Sequence, residues 1–172
     1  DMIRVALAEE GYLEKRTNDM LESKTANAGS NNYTKFGRDM GCNGQPWCDA
    51  FVDWCFKKAY GTAEAKALLG GWSNYTPTSA QYFKNMHQWF TTPQRGDVIF
   101  FKNSQRICHT GIVLEVKNGR VYTIEGNTSG GSTLEANGGC VAKKNYPLGY
   151  NRIAGYGRPK YSNTSAAVPS NT

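Results

Sequence analysis

The segment that decides the fold reads Pro46-Trp47-Cys48-Asp49-Ala50-Phe51-Val52-Asp53-Trp54-Cys55-Phe56. Its large apolar residues recur with the 3.6-residue period of an α-helix that buries one face. Proline is well tolerated in the first turn of a helix, and glycine commonly follows the last turn. Pro46 and Gly61 therefore predict a helix between them, the clearest one in the chain.

The cysteine at the start of this helix is a candidate nucleophile. Cys48 lies in the predicted first turn, where free backbone N–H groups and the positive end of the helix dipole stabilise a thiolate. Cys55 lies two turns further along and lacks that field, so it is expected to pack in the core. Most cysteines near a helix start only pack, so the position of Cys48 does not by itself establish catalysis.

Outward from this helix, the chain changes from helical to strand patterns. Upstream lie an amphipathic segment that ends at Gly11 and a polar stretch, residues 17–44, which is typical of a long surface loop. After Gly96 the pattern is that of strands, at residues 98–101, 109–117, 121–125, around 141, and 153–156. Helices first and antiparallel strands afterwards predict an α+β domain.

Asn118-Gly119 is a strong signal for a two-residue hairpin turn, because both positions tolerate positive φ. Such a turn pairs residues whose numbers add up to about 237, so that His109 falls opposite residue 128, close to Asn127. Glu125 and Asn127 share one strand face, and strand parity is compatible with their facing His109. His109 is therefore a candidate base, and Glu125 a candidate group to orient its ring.

Each of these residues also has a simpler interpretation. A strand histidine is more often a satisfied structural residue than a base, and a strand carboxylate is more often solvated than catalytic. The only other histidine, His87, lies in an amphipathic helical segment beside Trp89 and is expected to cover surface. The combination of cysteine, histidine and carboxylate carries more weight than any one of them.

The charge pattern favours anionic partners without specifying nucleic acid. The net charge is +6 and the pI about 9.1, but no run of five like charges occurs, and a nucleic-acid binder is disfavoured. No stretch approaches the roughly 20 apolar residues that a membrane span needs, so no membrane insertion is expected. Residues 1–161 are expected to form one domain, and residues 162–172, rich in Ser, Thr, Asn and Ala, a disordered tail or linker.

The five cysteines leave the redox state open. If the chain is secreted and fully cross-linked, one thiol stays unpaired, whereas in a reducing compartment all five are free. A zinc site is disfavoured, because no Cys-x-x-Cys pair occurs, only two histidines are present, and the spacing of Cys42, Cys48 and Cys55 matches no common zinc module. No metal ion is expected.

Several blocks of the sequence resemble the CHAP domain, the cysteine, histidine-dependent amidohydrolase/peptidase family. They occur in the family's order and span most of residues 32–127. The blocks are Asn32-Tyr33-Thr34-Lys35-Phe36-Gly37, residues 45–55, Arg95-Gly96-Asp97-Val98-Ile99-Phe100-Phe101, His109-Thr110-Gly111-Ile112-Val113 and Ile124-Glu125-Gly126-Asn127.

The resemblance implies a papain-like α+β fold, with N-terminal helices packed on an antiparallel sheet, and cleavage of amide bonds in peptidoglycan. Carried over to this chain, Cys48 matches the nucleophile, His109 the base, Glu125 the third member and Asn127 an accessory polar group. No cofactor is required for such chemistry. Some relatives bind calcium before the nucleophile, but residues 37–41 offer one carboxylate, too few for calcium.

This chain departs from the family pattern at one position. Many relatives have glutamine directly before the cysteine, where Trp47 stands here, with Gln45 three residues before Cys48.

Tyr33, Gln45, Trp47 and Trp72 are expected to contact the substrate. The expected partners are bacterial peptidoglycan and anionic wall polymers, the expected assembly is a monomer, and the expected place of action is the cell wall or the outside of the cell, or the wall during phage lysis.

Two rival functions remain from the sequence alone. An NlpC/P60-type cell-wall endopeptidase shares the fold and the Cys/His chemistry, although the Glu125-x-Asn127 pair favours the CHAP family. A non-enzymatic wall-binding module would need no ordered Cys48–His109 pair. The sequence does not distinguish an amidase from an endopeptidase, because substrate specificity lies in the loops.

Overall fold

A computed structural model describes residues 1–161; the tail predicted at 162–172 lies outside the described residues. It has five helices followed by an antiparallel six-stranded sheet, which confirms the predicted α+β class and is consistent with a papain-like fold. The helices are α1 (Met2–Leu7), α2 (Lys35–Met40), α3 (Cys48–Tyr60), α4 (Thr62–Leu69) and α5 (Thr76–Asn85). The strands are β1 (Trp89–Phe90), β2 (Val98–Lys102), β3 (Ile107–Lys117), β4 (Arg120–Thr128), β5 (Cys140–Pro147) and β6 (Ile153–Gly157), in the spatial order β1-β6-β2-β3-β4-β5.

Helix α3 is the central helix of the domain, as its sequence predicts. It begins at Cys48, and Gly61 follows its last residue with a φ of 80°, a conformation that glycine adopts without strain. Its apolar face packs on β3 and β4, so that Phe51, Cys55 and Phe56 are fully buried. Burial of each large side chain of this kind contributes about 1.5–3 kcal/mol to the free energy of unfolding.

The sheet has an apolar layer on each face. One layer faces the helices and includes Phe100, Ile112 and Ile124. The other is smaller, contains Phe101 and Tyr146, and is partly covered by side chains from the loops that follow β4 and β5. Among residues 1–161, no helix is both long and apolar enough to cross a membrane.

The hairpin of β3 and β4 turns at the predicted place but changes register along its length. Asn118 and Gly119 have φ values of 53° and 73°. Next to the turn, Lys117 pairs with Arg120, so that paired numbers add up to 237, whereas Ile112 pairs with Ile124. A bulge between Val113 and Glu115 causes this shift of one residue. The prediction of one constant register is therefore wrong beyond the bulge.

The long polar stretch before α3 is packed rather than free. Phe36 is fully buried and Leu21 is 7% exposed, and the carbonyl of Leu21 accepts a 2.6 Å hydrogen bond from the buried hydroxyl of Tyr12. Residue 15 forms a bridge with Tyr33, and Leu13 forms one with Cys140 at the edge of the sheet. This stretch includes α2 and extends the helical layer towards the start of α3.

Candidate active site

Cys48 is the first residue of α3, where backbone N–H groups lack partners within the helix. Trp47 occupies the cap position without a side-chain hydrogen bond to the helix, so that no capping group competes for these N–H groups. Cys48 is 7% exposed, so its neighbours shelter most of the residue from solvent. The predicted nucleophile therefore lies where a helix favours a thiolate.

His109 and Glu125 form the buried pair that their sequence positions suggest. Nε2 of His109 and Oε1 of Glu125 are 2.8 Å apart, and both side chains are fully buried. Because Glu125 engages Nε2, the other ring nitrogen, Nδ1, is left for the thiol. Nδ1 is buried, and the Cys48 sulfur acts on the ring as a charge and as a hydrogen-bonding group, through a contact that is looser than the one between Nε2 and Glu125.

These neighbours hold His109 in its protonated form. Burial alone lowers the pKa of His109, but the charge of Cys48, a hydrogen bond with that thiol, and the hydrogen bond and charge of Glu125 together raise the pKa to about 10. At neutral pH the ring is thus an imidazolium beside a sulfur. An imidazolium next to a thiol at a helix start favours the ion pair on which cysteine catalysis depends.

The carboxylate of Glu125 is fixed by two further donors. Its Oε2 accepts hydrogen bonds from the hydroxyl of Thr123 at 2.5 Å and from that of Tyr146 at 2.9 Å. Together with the bond to His109, these satisfy a carboxylate that has no contact with water. Glu125 is thereby held in a single orientation, with both carboxyl oxygens bonded.

Glu125 reaches His109 only because residue 111 has no side chain. The Cγ of Glu125 lies 2.5 Å from the position that a Cβ on Gly111 would take. The bulge near Leu114 brings Glu125 opposite Gly111, one step along the same strand face from His109. Gly111 is a residue of the site that the sequence reasoning did not identify.

Asn127 lies near the pair but bonds elsewhere. It is fully buried in a left-handed conformation, with a φ of 57°. Its Nδ2 donates to Oδ1 of Asn137 at 3.1 Å, and its Oδ1 accepts from the amide of Gly139 at 3.1 Å. The contacts of this side chain thus hold the loop between β4 and β5.

Trp47 is a core residue, which corrects the expectation that its side chain contacts substrate. The side chain is fully buried, stacks on Phe36 with ring centres 5.5 Å apart, and donates its Nε1–H to Oε1 of Glu14 at 2.9 Å. A ring enclosed in this way offers no surface to a polymer. Its role is to fix the chain directly before Cys48.

The other residues expected to contact substrate separate into two groups. Gln45 and Trp72 line one cavity of about 250 Å³, whose wall also includes Asp53. Tyr33 lies outside the lining of that cavity and packs against Gly44, with a ring carbon 3.4 Å from the Cβ position of that glycine. Gln45 and Trp72 thus line the same cavity, whereas Tyr33 lies on the loop next to it.

Two buried carboxyl groups on α3 were not singled out from the sequence. Asp49 follows Cys48 directly and accepts a 2.6 Å hydrogen bond from the hydroxyl of Ser79. Burial raises the pKa of Asp49 to about 7, although Ser79 lowers it in part, and burial together with the charge of Asp49 raises the pKa of Asp53 well above its usual value. Their spacing of four residues on one helix is the signal that could have paired them.

The described residues offer no evident metal site, and their thiols are unpaired. No group of three or more His, Cys, Asp or Glu side chains in residues 1–161 is arranged to hold a metal ion. All five cysteines lie within this range and are free thiols. A guanidinium nitrogen of Arg152 lies 4.0 Å from the sulfur of Cys108, next to His109 in the sequence.

The structure is an α+β domain in which Cys48, His109 and Glu125 come together where α3 begins. A sequence model of the CHAP domain matches residues 40–127, which hold all three side chains. The chain belongs to the CHAP domain family, a family of hydrolases that act on amide bonds of peptidoglycan.

A solved structure supports the fold. The chain is similar to the one described as "The crystal structure of Ly7917", with a TM-score of 0.51 and 14% sequence identity, over 92% of this chain and 60% of that chain. At this identity the likeness concerns the fold alone, and the present chain spans less than two thirds of that protein. A comparison with curated proteins gives no match.

Proposed function

We propose that this protein is a peptidoglycan hydrolase that cleaves an amide bond of the wall polymer by a Cys48–His109–Glu125 thiol mechanism. The observation that carries the proposal is the buried 2.8 Å contact between His109 and Glu125, beside a cysteine at the start of α3. Membership of the CHAP family supports peptidoglycan as the substrate. Residues 1–161 are proposed to contain the complete catalytic unit.

In the first half of the reaction, the Cys48 thiolate attacks the carbonyl carbon of the scissile amide. The oxygen then carries negative charge, which backbone N–H groups in the first turn of α3 stabilise. Nδ1 of the His109 imidazolium donates its proton to the leaving nitrogen, and the C–N bond breaks. This leaves the acyl group on Cys48 as a thioester and the amine free.

In the second half, neutral His109 accepts a proton from water through Nδ1. The resulting hydroxide attacks the thioester, the C–S bond breaks, and the thiolate returns beside an imidazolium. Glu125 keeps its contact with Nε2 throughout and orients and stabilises the positive ring. Asn127 is proposed to have a structural role, because its side chain bonds to the loop that follows β4 and not to the His109 ring.

The experiment is the clearing of a suspension of purified bacterial walls, followed by turbidity. The wild-type protein is expected to clear the walls, and both Cys48→Ala and iodoacetamide treatment are expected to abolish clearing. Cys140→Ser is the matched control, because it removes a half-buried thiol on β5 outside the proposed site. Mass spectrometry of the released fragments would identify the bond.

A non-enzymatic wall-binding module is the alternative that this experiment addresses. In that case the wild-type protein and Cys48→Ala would sediment equally with walls, and neither would release fragments. Clearing that is the same for Cys48→Ala and the wild type would contradict the thiol mechanism.

A further inference from the structure

The cavity of about 250 Å³ lies beside the first two turns of α3. Ala50 and Asp53 contribute the helix side of its wall, and the loop before α5 contributes Trp72 and Asn74. Nδ2 of Asn74 donates a 2.7 Å hydrogen bond to Oε1 of Gln45, which joins two sides of the rim. The cavity is therefore a built pocket with a polar rim and an acidic group in its wall.

The rim of this cavity is connected to both halves of the proposed catalytic site. Gln45 lies three residues before Cys48. On the other side, the loop that holds Trp72 and Asn74 leads into Thr76, whose hydroxyl donates a 3.1 Å hydrogen bond to the carbonyl of Ile107, two residues before His109. A group bound in the cavity thus lies next to segments that lead into the thiol and the imidazole.

The acidic group in the wall has no counter-charge. The Asp53 side chain is 4% exposed, and its Oδ2 accepts a 3.2 Å hydrogen bond from the amide of Ser73. Asp49 lies one helical turn away and is 2% exposed. No basic side chain among residues 1–161 forms an ion pair with either carboxyl group. Without such a cation, burial favours the protonated form of both groups and raises their pKa values, and an ammonium group in the cavity would supply the charge that favours the carboxylate of Asp53.

The lining favours an organic cation over a metal ion. No third acidic, cysteine or histidine ligand within residues 1–161 joins the two carboxyl groups in an arrangement that could hold a metal. An aromatic ring is present instead, and aromatic rings attract ammonium groups. The ring of Trp72 already makes one contact of this kind within the chain, since the Nζ of Lys66 lies 5.8 Å from the ring centre.

We propose that this cavity is a substrate subsite that binds a primary ammonium group of the wall peptide, with Asp53 as its anionic partner and Trp72 as its aromatic wall. The inference rests on the proposed function and adds a specificity to it. Peptide chains whose amino groups are free would be held in this cavity, whose lining includes Gln45 and Ala50 on either side of Cys48 in the sequence, and chains whose amino groups are blocked would lose this contact. Asp53 acts here as a specificity residue and not as part of the reaction.

The test compares two preparations of the same purified walls, one untreated and one with its amino groups acetylated. The wild-type protein is expected to cleave the untreated walls about tenfold faster, the effect of losing one buried bond to a charged group. General electrostatics predicts the reverse, because acetylation makes the walls more anionic and the protein has a net charge of +6. A preference for untreated walls is therefore specific to a local site.

Asp53→Asn preserves the size of the side chain and an acceptor for Ser73 while it removes the charge. This variant is expected to cleave both preparations at similar rates, because its rate on untreated walls falls to its rate on acetylated walls. Glu64→Gln removes an exposed carboxylate from α4 and is expected to keep the wild-type preference. If Asp53→Asn does not fold, Trp72→Leu is the second variant, with a reduced preference expected.

Equal rates of the wild-type protein on both preparations would overturn the subsite, as would a folded Asp53→Asn variant that keeps the full preference. Both results leave the proposed hydrolase intact. If the wild-type protein clears neither preparation, the proposed function itself is wrong, so the two failures are distinguishable.

Discussion

The Cγ of Glu125 fills the place that a side chain on Gly111 would need, 2.5 Å from that Cβ position. Gly111→Ala is therefore expected to displace the Glu125 carboxylate from Nε2 of His109. Misplacement of a catalytic group by about 1 Å costs about a hundredfold in rate, so kcat/KM for wall cleavage should fall by this order. Gly130→Ala is the control, because no atom lies within 4 Å of its Cβ position. Full activity of Gly111→Ala would show that this close approach has no role.

The Tyr146 hydroxyl is expected to position Glu125. Tyr146→Phe removes the 2.9 Å hydrogen bond and leaves a fully buried carboxylate with one donor fewer. The free energy of unfolding should fall by about 1.5–3 kcal/mol, and alkylation of Cys48 by iodoacetamide should slow. Denaturant titration and alkylation kinetics measure these effects. Tyr150→Phe keeps the ring that stacks on Tyr146 and should change neither value, which makes it the matched control.

The raised pKa of His109 is expected to set the alkaline limit of the proposed activity. Since that pKa is about 10, the imidazolium that protonates the leaving amine should persist as the pH rises and be lost only near pH 10. Glu125→Gln removes one of the groups that raise the pKa, so the alkaline limb should move to lower pH by about 1 unit. An NMR titration of His109 measures this without a substrate. An unchanged pKa in the variant would exclude Glu125 as a cause.

Asp49 is expected to make the protein less stable as the pH rises. Its pKa is about 7 in the folded state, above its usual value, so the folded chain binds this proton more tightly than the unfolded chain. The resulting stability is complete below about pH 4 and is lost as the pH rises through 7. Denaturant titrations at pH 5 and pH 8 should show a smaller loss in Asp49→Asn than in the wild type, by about 1–3 kcal/mol.

Glu64→Gln is the control for this measurement, because the carboxylate of Glu64 is exposed on α4. It should show the same loss of stability between the two pH values as the wild type. If Asp49→Asn also matched the wild type, another group would be responsible for the pH dependence.

Local signals in the sequence predict much of this fold. The period of α3, the position of Pro46 before it and the turn at Asn118-Gly119 depend only on neighbouring residues, and they are confirmed. The bulge near Leu114 has no comparable signal in the alternation of β3. With a constant sum of 237, Glu125 pairs with Ile112 and faces away from His109, so the parity expected from the sequence holds only because of the bulge.

The sequence could not predict which residues line a cavity and which are buried in the core. Trp47 is aromatic and next to Cys48, but its burial depends on Phe36 and Glu14, which are distant in sequence. In the same way, Asp53 occupies a regular position on α3, and its place in the wall of a cavity depends on the loop that contains Trp72. Contacts between distant segments decide which face is covered, and a pattern along the chain does not contain them.

His109 and Glu125 belong to one hairpin, whereas Cys48 lies on helix α3, 61 residues before His109 in the chain. The imidazole–carboxylate pair is thus a local product of two adjacent strands, while the sulfur reaches it only when the helical layer docks. During synthesis or partial unfolding, the thiol is an ordinary one, without its cationic neighbour. Formation of the proposed site is consequently tied to the packing of the helices on the sheet, and the reactivity of this sulfur would report on that packing.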